Sequence, residues 1–334
     1  MHIVFASDQG FVRQLTVASG SAVWASRGSD EPLSVHVLDC GIEDESWKGY
    51  EAILKRLAVK GIVKVEVIRH IIDMNLFANF KTYTNGSKAT WARLLIPTLL
   101  VDVDQCVYSD CDMLFVANPI EMLEPLKDSN IIIAGHHDPA AEVCDDIMWC
   151  RQKNLTFDVT KYICAGLIAM NLKIFRSENI VQKCLDFGDH YLDVPLVDQT
   201  ILNQVCLGRI ALLPDGWGLF TQECHTFAGR IKSIHFAGGW PWKKGTRNWH
   251  ALCLSLSKKE CSLWREFETR MLGLAPSVST MPSLWRCLVA KIAIAAARVA
   301  NCFGIKIGRY QTCVAAYDGR STALARVEQE LFGE

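Results

Sequence analysis

Residues 2–38 read HIVFASDQGFVRQLTVASGSAVWASRGSDEPLSVHVL. The apolar, β-branched run His2–Ala6 gives way to apolar residues at helical spacing over Phe11–Ser26, and a second β-branched run follows at Leu33–Leu38. Strand, helix and strand in so short a stretch make a βαβ unit, which joins parallel strands. The rhythm continues downstream. Trp47–Val59 repeats the helical spacing, and Glu43, Asp44 and Glu45 stand at its start, where the helix dipole favours acids. Further strands are expected at Val63–Ile68, Cys106–Tyr108, Ile131–Ala134 and Ile163–Met170. The pattern predicts an α/β fold with a mostly parallel, doubly wound, Rossmann-like sheet. Such sheets bind ligands beyond the carboxyl ends of their strands.

The 334 residues are 50% hydrophobic and 21% charged, which supports a large core and excludes a disordered chain. A formal net charge of −1 excludes the broad basic field that nucleic-acid binding uses. The 14 cysteines include no CxxC pair. Cys106, Cys164 and Cys206 lie in apolar runs, as buried thiols of a reducing compartment do. MHIVFASD runs straight into a strand pattern, without the basic start and small-residue cleavage site of a secretory leader. The longest apolar segment, Cys287–Ala300, is interrupted by Lys291 and Arg298 and falls short of a membrane span. The expectation is a cytoplasmic chain.

The pattern changes near residue 250. Trp249–Gly273 reads as helical, and Ala275-Pro276 and Met281-Pro282 punctuate a linker. Ser283–Tyr317 then holds no acid but carries Arg286, Lys291, Arg298, Lys306 and Arg309. We therefore expect an α/β domain over 1–250 and a helical region over 251–334. In the second region, Trp285, Leu288, Val289, Ile292, Ile294 and Val299 offer an apolar surface with a basic rim. It suits either packing on the main domain or docking on anionic lipid at the inner face of a membrane, where each Lys or Arg contributes about 1 kcal/mol.

Five short stretches can carry chemistry. In Tyr108-Ser109-Asp110-Cys111-Asp112 a strand ends in two acids at i and i+2, which project to the same side of an extended chain. Two such carboxylates repel unless a cation lies between them, and Mn²⁺ or Mg²⁺ suits these oxygens and a diphosphate alike. Solvated acids or a helix cap are the plainer alternative. His235 ends a short strand in Ile234-His235-Phe236-Ala237-Gly238-Gly239-Trp240-Pro241-Trp242, where its imidazole can complete a metal shell and Gly238 can approach a phosphate; a structural histidine among packed aromatics is the other reading. Asp8 closes Phe5-Ala6-Ser7-Asp8, poised either to bind a pyrimidine N–H with Ala6 against the base or to cap the next helix. Arg93, on the expected helix Thr90–Leu94, can hold a phosphate or brace the paired acids. Asp198 and Gln199 open the helical stretch Val197–Asn203, Asp198 as a cap or a grip on sugar hydroxyls and Gln199 beside an anomeric carbon.

In this order the stretches resemble glycosyltransferase family 8, which has the GT-A fold and includes bacterial lipopolysaccharide galactosyl- and glucosyltransferases and glycogenin. The matching segments are IVFASD (3–8), HVLDCGI (36–42), TWARLLIP (90–97), VYSDCDMLF (107–115), CAGLIAMNL (164–172), DQTILN (198–203) and HFAGGWPW (235–242). The resemblance implies a retaining hexosyltransferase that uses UDP-glucose or UDP-galactose and Mn²⁺ and acts on a saccharide or lipid-linked glycan. It makes Asp110, Asp112 and His235 the metal ligands. It puts Ala6, Asp8, Arg93, Cys111, Ala165, Gly166 and Gly238 at the donor, with Asp198 on the sugar hydroxyls and Gln199 near the reacting carbon. A nucleotide-sugar-binding protein without activity and a self-glucosylating enzyme are the alternatives on the same fold. Two departures stand out: Cys164 where the family often has Asn, and a glycine-rich stretch one residue short and without its Lys, for which Lys243 or Lys244 is the candidate substitute.

Overall fold

The computed structural model describes residues 1–82, 87–138, 145–224, 226–237, 241–242, 259–275, 284–305 and 322–333. Its strands are β1 (His2–Ser7), β2 (Leu33–Asp39), β3 (Val65–Ile71), β4 (Gln105–Ser109), β5 (Met113–Phe115), β6 (Ile133–His137), β7 (Ile163–Asn171), β8 (Ile210–Leu212), β9 (Leu219–Phe220) and β10 (Ser233–His235). Seven of them form one sheet in the order β3-β2-β1-β4-β7-β6-β8, and the other three form a small sheet in the order β5-β10-β9. β1, β2, β3 and β4 run parallel, as do β6 and β8; β7 is antiparallel to both its neighbours, β4 and β6.

Both faces of the large sheet are covered, which is why its strands read as unbroken apolar runs. Ile3, Val4 and Phe5 are successive residues on opposite faces, and all are fully buried. Each such side chain contributes about 1.5–3 kcal/mol of burial. On one face lie α1 (Val12–Ala25), α2 (Asp44–Gly61) and the small sheet. The other is covered by a 3₁₀ helix, Ala89–Leu95, with α3 (Ile96–Leu99), α4 (Asp145–Gln152), α5 (Leu172–Ser177), α6 (Ile180–His190) and α7 (Asp198–Val205). The sequence predicts an ordinary helix around Thr90–Leu94; there the chain winds tighter, with Arg93 donating from Nε to its own Thr90 carbonyl (3.0 Å).

In the C-terminal part, α8 (Lys259–Glu266) runs into a π-helical turn at Phe267–Met271; the earlier part of the expected Trp249–Gly273 helix lies outside the described residues. Leu263, Trp264 and Phe267 join the same buried cluster as Ile3 and Phe5, as do Leu324, Val327 and Leu331 of the last helix, Thr322–Phe332. Trp24 Nε1 donates to the Leu331 carbonyl (2.9 Å), and Arg13 pairs with the fully buried Glu268 (2.9 Å). Between them lies α9 (Leu284–Cys302). Its Leu288, Ile292 and Val299 are more than half exposed and fall on one stripe. Ile294, expected in that apolar surface, is instead buried on the opposite side with Ala297, because helical rotation carries it away from Leu288 and Ile292. No helix among the described residues is long and apolar enough to cross a membrane.

Candidate active site

The site lies where the carboxyl end of β4 meets the amino end of β7. Strand reversal makes this meeting possible: β7 enters the sheet at the rim where β4 leaves it. Its first residue is clamped by Asn203 of α7, whose Nδ2 donates to the Ile163 carbonyl (2.8 Å) and whose Oδ1 accepts the Ile163 N–H (2.9 Å). Two residues after Cys164, the Gly166 carbonyl accepts the Asp110 N–H (2.7 Å). The small sheet supplies the third component. β10 pairs antiparallel with β5, His235 opposite Met113, and the Phe236 N–H donates to the Asp112 carbonyl (2.9 Å). Register alone thus carries His235 to the paired aspartates, far away in sequence.

Asp110, Asp112 and His235 each offer one ligand atom, all within 4.8 Å of one another. His235 Nε2 stands 3.2 Å from Asp112 Oδ1. That oxygen is buried and, His235 apart, has no hydrogen-bond partner among the described residues. A buried carboxylate oxygen needs a positive neighbour, which a metal ion or a protonated His235 supplies. Two carboxylate oxygens and one imidazole nitrogen form a donor set suited to Mn²⁺ or Mg²⁺, so the residues fit the ion the sequence implies. Withdrawal from water raises the Asp110 carboxyl pKa; Arg93 opposes the rise and the Asp112 charge adds to it. Burial works against a charged His235, yet Asp112 overrides it and holds the ring well above its usual value.

Arg93 braces this arrangement from below. It is 2% exposed. Its NH2 donates to Asp110 Oδ1 and to Thr90 Oγ1 (2.9 Å each), its Nε lies 3.0 Å from Asp198 Oδ2, and its NH1 donates to the Ala165 carbonyl. The Tyr108 ring lies 4.2 Å beneath the guanidinium, and the Tyr108 hydroxyl donates to Asp110 Oδ1 (2.7 Å). Asp198 Oδ1 accepts from Thr90 Oγ1 (2.7 Å). One buried cation therefore holds two carboxylates, one from β4 and one from α7. Gln199 is fixed at both ends: its Oε1 accepts the Ala165 N–H and its Nε2 donates to Asp138 Oδ2 (3.0 Å each).

The structure brings Arg93, Asp110, Asp112, Ala165, Gly166, Asp198, Gln199 and His235 into one constellation. Ala6, in β1, and Asp8, just past its end, lie on the adjoining rim. Asp8 makes no helix-capping hydrogen bond; its carboxylate accepts from Ser87 Oγ (3.0 Å). The Cys111 thiol turns into the core and donates to the Ala6 carbonyl (3.3 Å), so this side chain faces away from the paired acids. Gly238, Lys243 and Lys244 lie outside the described residues. Sequence reasoning missed Thr90, Tyr108, Asp138 and Asn203. Thr90, Tyr108 and Asn203 lie inside stretches the sequence analysis singles out, but nothing in the local pattern marks Asp138.

With this geometry established, the comparisons with known proteins are specific. The family model described as Glycosyl transferase family 8 matches residues 2–246. General stress protein A of Bacillus subtilis is 25% identical over 269 residues, 74% of this chain and 89% of that one. The lipopolysaccharide 1,3-galactosyltransferase of Salmonella typhimurium is 22% identical over 211 residues, 60% of this chain and 58% of that one. A Haemophilus influenzae relative, 26% identical, is matched over 61% of its length, so the chain spans less than two thirds of two of these curated relatives. Among solved structures, the galactosyltransferase LgtC, determined with donor and acceptor sugar analogues, superposes with a TM-score of 0.63 at 24% identity, covering 86% of this chain and 99% of that one. That likeness establishes the fold, a GT-A arrangement with a mostly parallel central sheet and a helical C-terminal region.

Proposed function

We propose, from the premise that this chain belongs to glycosyl transferase family 8 and is a glycosyltransferase, that it moves glucose or galactose from a UDP-sugar to a saccharide or lipid-linked glycan with retention of configuration. The observation that carries this reading is the convergence of Asp110, Asp112 and His235, whose ligand atoms all lie within 4.8 Å of one another. The Salmonella relative, named as a lipopolysaccharide galactosyltransferase, supports a hexose donor and a glycan acceptor. On this reading, residues 1–250 carry the reaction and 251–334 form a helical appendage.

A divalent ion, Mn²⁺ or Mg²⁺, held by the triad would neutralise the diphosphate as it departs, an effect worth several kcal/mol. The remaining roles fall to the chain itself. Ala6 and Asp8 receive the uracil, and Arg93 aims Asp110. Asp198 has spare lone pairs beside its bonds to Thr90 and Arg93, enough to accept donor-sugar hydroxyls. Gln199, immobilised between Ala165 and Asp138, presents its carboxamide to the anomeric carbon. The acceptor hydroxyl attacks on the face that UDP leaves: the bond from C1 to the phosphate oxygen breaks, a C1–O bond to the acceptor forms, and the acceptor proton passes to the departing phosphate. The transition state is oxocarbenium-like.

Calorimetry with UDP, together with UDP release from UDP-glucose and UDP-galactose, tests the assignment. Affinity and release depend on added Mn²⁺ in the native protein. In Asp112→Asn, which keeps an oxygen but drops its charge, ion-dependent release falls about 100-fold. Ion-independent affinity, or no release from either donor, sinks the reading.

The exposed stripe of α9 supports peripheral docking on anionic lipid at the cytoplasmic face. Co-sedimentation with vesicles containing anionic lipid, reversed by salt, is expected, and zwitterionic vesicles should leave the protein in the supernatant. No binding to either removes this part.

A further inference from the structure

His235 is 4% exposed and held on three sides. Its ring lies against Phe220, with centroids 4.9 Å apart at 30°, and its Nε2 points toward Asp112. Its Nδ1 points at Cys164 Sγ, 3.9 Å away. Beneath the ring is Gly166, where a Cβ would come within 2.8 Å of His235 Cε1. Among the described residues, Cys164 is the polar group that faces Nδ1.

An imidazole that offers its Nε2 lone pair to a cation must carry its proton on Nδ1, and a buried N–H needs an acceptor. The group opposite Nδ1 must therefore be an acceptor. A thiol can serve, because its sulfur is a weak acceptor. An aliphatic side chain cannot.

We propose that Cys164 is a positioning residue for the metal centre, acting through His235: its sulfur accepts the Nδ1 proton when Nε2 turns to the ion, and so sets the tautomer and ring orientation of that ligand. This rests on the reading of Asp110, Asp112 and His235 as an ion site and deepens it. Groups that hold the far nitrogen of a ligating histidine alter metal affinity about 10–100-fold. Because sulfur is a poor acceptor, the lower end is expected here. The hydrogen bond is also replaceable: a serine hydroxyl, donor and acceptor alike, preserves the function that alanine deletes.

The experiment is Mn²⁺ binding without any sugar substrate, followed by the free-ion resonance signal and by calorimetry, on native protein, Cys164→Ala, Cys164→Ser and Asp112→Asn. Metal-free melting of each variant checks that it is folded. Native protein binds the ion and Asp112→Asn binds it far more weakly. Cys164→Ala weakens binding about 10-fold, and Cys164→Ser recovers most of the loss. If native protein takes up no Mn²⁺, the ion-site reading fails and this inference with it. If native protein and Asp112→Asn behave as expected but Cys164→Ala binds as tightly as native, the inference alone fails. Equal weakening in the alanine and serine variants also overturns it, since sulfur would then act only by filling space.

Discussion

With Asp110, Asp112 and His235 holding an ion as proposed, the Gly166→Ala variant folds but loses that site, and Mn²⁺-dependent UDP release drops by about 1,000-fold or more. The added methyl carbon would stand 2.8 Å from His235 Cε1, 3.2 Å from His235 Nε2 and 3.0 Å from Asp110 Oδ2, so it strikes two of the three ligands at once. Neither can step aside. His235 is backed by Phe220 and tied through β10 to strands on both sides, and Asp110 is gripped by Arg93 and Tyr108. Overpacking of this kind costs about 1–3 kcal/mol of stability, which a chain with so large a core survives. Losing the ion forfeits several kcal/mol of transition-state stabilisation, which is the factor of about 1,000. Melting, Mn²⁺ uptake and UDP release measured on one preparation separate the two effects. A Gly166→Ala protein with native Mn²⁺ affinity would refute the geometry.

Arg93→Met has its main effect on folding. Methionine fills the aliphatic space but leaves Asp198, 3% exposed, and Asp110 facing each other without a cation between them. Removing one partner of a buried ion pair costs about 3–5 kcal/mol, because the surviving charge is stranded. Urea unfolding should reveal that loss. Adding Asp198→Asn removes one stranded charge, so the double variant should be more stable than Arg93→Met alone. A single variant that unfolds at the native urea concentration, or a double variant less stable than the single, would show that Arg93 is not the cation that binds this cluster together.

The sequence made the large sheet legible because its strands are buried on both faces and stand out as β-branched runs. The expected starts of β1, β2 and β7 are those observed. β6 was expected at Ile131–Ala134 but occupies Ile133–His137, since pairing with β7, rather than the apolar run, decides where it begins. Of the small sheet only the short strand ending at His235 was legible, because strands of two or three residues are too short to display a period. The paired aspartates could be read from their place after an apolar strand, and Arg93 as their brace was one of the two roles its guanidinium fork allows. Asp138 and Asn203 could not, because their partners Gln199 and Ile163 reach them only through tertiary packing.

The reversed strand at the centre of the sheet has a consequence for biosynthesis. β1 to β4 can assemble as a parallel leaflet as they leave the ribosome, but β4 ends at Ser109 and its other neighbour, β7, is complete only at Asn171. At about 5–20 residues per second, translation takes roughly 3–12 s to cross that gap. Throughout it, the nascent chain bares the inner flank of QCVYS, which carries neither lysine nor proline to discourage a stray partner. The strand that leads into the paired aspartates is, during those seconds, the place where two half-made copies would adhere.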